Sequence, residues 1–123
     1  TGPADAPDAG EKRKDIIISS NAKKDGTPDP ELGEPSCPAK TVDLVKSFLE
    51  EQGFSVAVND PYKGGYITVH HGRLLLKRGG FALQIEMNQD LYMPEGALRP
   101  DPDQIEDVRR RIFSAFEKIS QHL

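Results

Sequence analysis

The chain has 123 residues, with 16 Lys and Arg against 20 Asp and Glu for a net charge of −4; apolar residues make up 36%, and there are 11 Gly and 10 Pro. That composition describes one domain with a modest core and much loop. It excludes a general nucleic-acid binder, whose surface must be basic, and a membrane span, which needs an apolar run of roughly 18 residues. The longest apolar run, around Leu74 to Leu76, is broken by Arg73 and Lys77. The lone cysteine, Cys37, forms no internal disulfide and suits a reducing, cytoplasmic setting. No signal segment opens the chain, which begins at Thr1, as a processed, tagged or partial polypeptide does.

Residues 1–14 have only Ala4, Ala6 and Ala9 as apolar side chains among Pro3, Pro7, Gly2 and Gly10, so they read as a tail or linker. The β-branched run Ile16, Ile17, Ile18 suits a strand buried on both faces, as in a parallel sheet. Residues 21–37, rich in Pro, Gly and charge, predict a long loop. A helix follows, capped by Ser36 or Cys37 with Pro38 in its first turn, carrying Val42, Val45, Phe48 and Leu49 on its core face and ending at Gly53. Residues 54–58 predict the next strand and complete a βαβ pattern.

Asn59-Asp60-Pro61 and then Gly64-Gly65 predict a turn, and residues 66–71 are expected to be extended. Residues 81–88 alternate, with Phe81, Leu83, Ile85 and Met87 on one face and Ala82, Gln84, Glu86 and Asn88 on the other. Asp101-Pro102-Asp103-Gln104 starts a last helix with the apolar stripe Ile105, Val108, Ile112, Ala115, Phe116 and Ile119. The fold class expected is α/β, a mixed sheet of three to four strands flanked by two main helices. It reads as half of a larger sheet.

Several features bear on chemistry. Gln84, Glu86 and Asn88 share one strand face; a covered carboxylate between two amides is able to act as a general base, although periodicity alone favours an ordinary solvent-facing side. The glycines of the 59–65 turn suit a ligand loop or a plain connection. On an extended segment His70 and His71 point to opposite faces, so with Glu86 only one of them serves a metal, short of the three ligands a catalytic zinc takes. Cys37 and His122 read as a buried thiol and a surface side chain. Arg109, Arg110 and Arg111 pair with the acidic turn before them, and Gly64-Gly65 lacks the spacing and the following helix of a phosphate loop.

Read in series, Asn59-Asp60-Pro61-Tyr62-Lys63-Gly64-Gly65-Tyr66-Ile67-Thr68, His70 and Gly72, Ala82-Leu83-Gln84-Ile85-Glu86-Met87-Asn88 and Leu91-Tyr92-Met93 resemble the C-terminal half of the N-formylglutamate amidohydrolases. Asp15-Ile16-Ile17, Gly26-Thr27 and Pro30-Glu31-Leu32 fit the same family more loosely. The resemblance implies that residues 15–123 are the C-terminal part of one amidohydrolase domain, related in fold to zinc carboxypeptidases and aspartoacylases. It implies hydrolysis of N-formyl-L-glutamate, or a related N-acyl amino acid, to formate and glutamate. It implies Glu86 as general base toward a zinc-activated water, with Gln84 and Asn88 beside it. It also implies a substrate pocket lined by Asn59, Pro61, Tyr62, Gly64, Gly65, Tyr66, Thr68 and His70.

The chain departs from the family pattern at Val69, where a basic residue is common, and at His71, where an aromatic is common. The family's zinc ligands lie upstream of Asp15 and nothing here matches them, so zinc belongs to the complete enzyme. No metal ligand is assigned in this chain, which alone is expected to be inactive. The alternative expectation is a non-catalytic association module that pairs through exposed sheet edge and apolar surface.

Overall fold

The computed structural model describes residues 13–93 and 96–123. The 1–14 tail expected from composition falls almost wholly outside the described residues.

The isoleucine run forms β1 (Ile16–Ser19), every residue of which is buried. Beyond a long loop comes α1 (Ala39–Glu51), then β2 (Val56–Val58). β1 and β2 pair in parallel, with Ile16, Ile17 and Ile18 opposite Val56, Ala57 and Val58, so the βαβ unit read from the sequence is present. A reciprocal pair of bonds fixes its register: Asp15 N donates to Ser55 Oγ at 2.8 Å, and Ser55 N donates to Asp15 Oδ2 at 2.9 Å. Pro38, not Ser36 or Cys37, occupies the N-cap of α1, and its carbonyl accepts from Thr41 N and Val42 N. Having no N–H of its own, proline adds no orphan donor there. Gly53, at φ 89°, turns the chain out of the helix.

The main departure from the sequence reading is at residues 66–71. They are not extended but open α2 (Tyr66–Leu76), with Gly65 at the N-cap. The reason lies in packing. Gly72 is buried against Ser36, where an added Cβ would stand 2.5 Å from the serine Cβ and 2.7 Å from its Cα. Only glycine lets the α2 backbone approach the 21–37 loop this closely. The glycine pair is therefore followed directly by a helix start, contrary to the reading of the turn.

β3 (Gln84–Met87) is shorter than the alternation of residues 81–88 suggested. It joins the other edge of β1, antiparallel, giving the order β2-β1-β3. After a 3-10 turn (Gln89–Leu91), α3 (Pro102–His122) closes the described chain. Asp101 caps α3, its Oδ1 accepting from Asp103 N at 2.9 Å and Gln104 N at 3.4 Å.

α1 and α3 pack together on one face of the sheet. The core there joins Ile16, Ile18, Val42, Val45, Leu49, Val108, Ala115 and Ile119, with Phe81, Leu83 and Ile85 partly buried against it. Each fully buried aliphatic side chain contributes about 1.5–3 kcal/mol. Arg111 staples the two helices: its Nε donates to Gln52 O at 2.8 Å, and its guanidinium lies 3.9 Å from the centroid of the Phe54 ring. Lys118 pairs with Glu51 alongside. Among the described residues, no helix is long and apolar enough to cross a membrane.

Candidate active site

Sheet register decides which side chains meet. Ile16 and Ile18 face the helices with their partners Met87 and Ile85, so Ile17 and Ser19, with their partners Glu86 and Gln84, face the other way. The polar face of β3 therefore lies on the side of the sheet that α1 and α3 leave free. It is covered instead by the turn and helix that follow β2.

That turn is bound to the carboxyl ends of both parallel strands. Asn59 N donates to Ile18 O at 2.8 Å, Ser19 Oγ donates to Tyr62 O at 2.8 Å, and Asn21 N donates to Lys63 O. Asn21 and Asn59 each leave their strand with positive φ, 57° and 52°, a conformation asparagine tolerates better than most residues. The peptide bond between Asp60 and Pro61 is cis. The result sets Gly64, Gly65 and the first turn of α2 above the end of the sheet. The crevice beyond the carboxyl ends of parallel strands is where open α/β sheets bind their ligands.

A chain of three hydrogen bonds ties this turn to β3. Gly65 N donates to Gln84 Oε1 at 2.9 Å, Thr68 Oγ1 donates to the same oxygen at 3.4 Å, and Gln84 Nε2 donates to Glu86 Oε1 at 2.7 Å. Glu86 is half-buried. One carboxylate oxygen is thus held by a donor, leaving the other available to a water or a substrate.

The structure gathers Gly64, Gly65, Thr68, Gln84 and Glu86. Pro61 and Tyr62 lie exposed on the same turn. Four other residues expected in the pocket lie elsewhere. Asn59 is only 1% exposed and its side-chain bonds are internal: Oδ1 accepts from Ser20 N at 2.8 Å, and Nδ2 donates to Ser20 Oγ at 3.0 Å and Lys23 O at 2.9 Å. It clamps the turn from behind. Asn88 is beyond the end of β3, where its Oδ1 accepts from Asp90 N and caps the 3-10 turn.

Tyr66 and His70 stack on each other with ring centroids 5.3 Å apart, Tyr66 being 78% exposed. An extended segment would have put residues 66, 68 and 70 on one side. The helical period turns Tyr66 and His70 outward while Thr68 and Gly72 face in. His70 and His71 are correspondingly not on opposite faces but in edge contact, 5.2 Å apart. Ser19 pairs with Gln84 across the sheet, a role that nothing in its local sequence marks. An unbroken β-branched run carries no mark of which residue meets the polar face.

Among the described residues, no group of three or more His, Cys, Asp or Glu side chains is placed to hold a metal ion. The residues around Glu86 are amide, hydroxyl and backbone groups, so this site does not fit a catalytic zinc by itself. Cys37 is buried, and burial pushes its thiol up to about 12. Arg109 and Arg110 form the expected solvated pairs with Glu106 and Asp107, whereas Arg111, though also paired with Asp107, turns inward to Gln52 O and the Phe54 ring.

The chain is of the α/β class: a mixed sheet whose antiparallel edge strand carries Glu86, joined through Gln84 to a glycine turn and a helix start at the carboxyl end of β1. The comparisons with known proteins narrow this class. The family model for N-formylglutamate amidohydrolase matches residues 2–93, so the chain belongs to that family. Among solved structures, the N-formylglutamate amidohydrolase of Ralstonia eutropha JMP134 superposes with a TM-score of 0.61 at 27% identity, over 91% of this chain and 35% of its own. The chain thus spans about a third of that enzyme's length. No curated protein matches.

Proposed function

We propose that this chain carries the general-base side of an amidohydrolase centre acting on N-formyl-L-glutamate or a related N-acyl amino acid in the cytoplasm. The observation that supports this most directly is the Gln84–Glu86 bond, which ties a half-buried carboxylate on β3 to the amide that holds Gly65 and Thr68. Glu86 takes a proton from a water as the water oxygen bonds to the formyl carbon. The C–N bond then breaks, and the glutamate nitrogen receives the proton that Glu86 holds. Formate and glutamate leave. Gly64, Gly65, Thr68 and Tyr62 border the substrate.

The zinc implied by the family, and the wider likeness to zinc carboxypeptidases, would require ligands from polypeptide beyond the described residues. The 123-residue chain alone is therefore expected to bind no stoichiometric zinc and to release no formate. In the complete protein, Glu86→Gln should lower kcat for formate release by about 10²- to 10⁴-fold, the usual worth of a positioned general base. An undiminished rate would remove Glu86 from this role.

A second reading, self-association, is favoured by one surface. Met87, Tyr92, Ile105, Ile112, Phe113 and Phe116 line an open apolar groove of about 510 Å³ beside β3. Phe113 is 60% and Phe116 45% exposed. Arg109 and Glu117 stand four residues before and after Phe113, so an antiparallel second copy centred there meets opposite charges on both sides. Sedimentation of the 123-residue chain should show a dimer that Phe113→Asp dissociates; a monomer at every concentration would exclude this reading.

A further inference from the structure

The geometry points to Gln84 as a positioning residue that couples the glycine turn and the start of α2 to the Glu86 carboxylate, rather than as a substrate ligand. This rests on the reading of Glu86 as the base, which it deepens. The orientation of the Gln84 amide follows from its partners. The Gly65 N–H can only donate and an ionised carboxylate can only accept, so the amide oxygen must face Gly65 and the amide nitrogen must face Glu86. A flipped amide sets N–H against N–H and oxygen against oxygen.

The two ends of the amide are electronically linked. A charged Glu86 polarises the Gln84 N–H toward itself, which makes Oε1 a stronger acceptor for Gly65 and Thr68. Closing the turn over a substrate and orienting the base are then one event, because Gly65, Thr68, Gln84 and Glu86 share a single chain of bonds. Displacing Gly65 releases the carboxylate; neutralising the carboxylate weakens the hold on Gly65.

This coupling has a spectroscopic readout that needs neither substrate nor metal. In the 123-residue chain, the Gly65 amide proton resonance is expected to move upfield when added acid protonates Glu86. The other titratable groups on the same turn and helix are Asp60, Lys63, Tyr66 and His70, while Arg13, Lys14 and Asp15 precede β1 at its other end. Asp60 pairs with Lys24, and Asp15 accepts from Ser55 N. Glu86→Gln removes only the carboxyl under test and should abolish most of the movement while leaving Gly65 bonded.

Gln84→Met, close in size but unable to bond at either end, should make the Gly65 resonance insensitive to that protonation. Hydrogen exchange at Gly65 should then quicken by about fivefold, as loss of one ordinary hydrogen bond implies. If Gln84→Met does not fold, the Glu86→Gln titration decides alone. A Gly65 resonance that stays fixed in the wild-type chain, or moves equally in Glu86→Gln, overturns the coupling. Activity does not enter either measurement, so a failure of Glu86 as the base and a failure of the coupling are told apart.

Discussion

Asn59 and Ser20 are interlocked across the carboxyl ends of the two parallel strands: Ser20 N donates to Asn59 Oδ1 at 2.8 Å, and Asn59 Nδ2 donates back to Ser20 Oγ at 3.0 Å. Both residues are almost wholly inaccessible to solvent. The clamp forces the chain out of β2 and over the sheet face, and it determines where Gly64 and Gly65 stand relative to Gln84.

Removing this clamp should be costly, because its polar partners stay buried when one side is deleted. Asn59→Ala leaves Ser20 N without its acceptor, and each such orphaned group costs about 1–3 kcal/mol. Urea denaturation should show a loss of about 2–4 kcal/mol. A change within 0.5 kcal/mol, the range of an ordinary surface substitution, would show that the turn holds itself without Asn59.

The approach of α2 to Ser36 gives a steric prediction. A Cβ at Gly72 would meet Ser36 Cβ at 2.5 Å, its Cα at 2.7 Å and its carbonyl oxygen at 2.9 Å. Gly72→Ala should destabilise the protein by about 1–3 kcal/mol through overpacking, measurable as a lowered denaturation midpoint. Adding Ser36→Gly should restore only part of the loss, since the backbone atoms stay close. Full restoration would place the clash in the serine side chain alone.

Burial of Cys37 predicts both slow alkylation and a pH dependence of stability. A thiol pushed up to about 12 from its usual 9.0 holds about a thousandfold less thiolate near pH 8. Native protein should react with iodoacetamide correspondingly more slowly than unfolded protein. The raised value means that the unfolded state releases its proton first as pH rises. The contribution to stability is therefore intact below about pH 9 and is lost between there and about pH 12. Equal alkylation rates in the native and unfolded states would show that the thiol is accessible.

Much of the fold was legible because it rests on local chemistry. Ile16, Ile17 and Ile18 mark a buried central strand; Val42, Val45 and Leu49 mark the core face of α1; Asp101 marks the start of α3. Residues 66–71 misled because β-branched and aromatic side chains such as Tyr66, Ile67, Thr68 and Val69 favour strands locally, while the close packing of Gly72 on Ser36 selects the helix. That change alone separated Tyr66 and His70 from Thr68.

The sequence by itself determined the βαβ unit, the paired motifs that carry the family resemblance, and the placing of Gln84 and Glu86 on one strand face. Such features depend on residue type and a period of two or 3.6, which a linear chain displays. Only the tertiary structure decided what that face meets. Register set Gln84 beside Ser19 and Glu86 beside Ile17, and the Asn59 clamp brought Gly65 to the Gln84 amide. The partners in those contacts are separated by 19 to 69 residues along the chain. A pairing of that kind is fixed by burial and hydrogen-bond satisfaction across the whole domain, which no local pattern records.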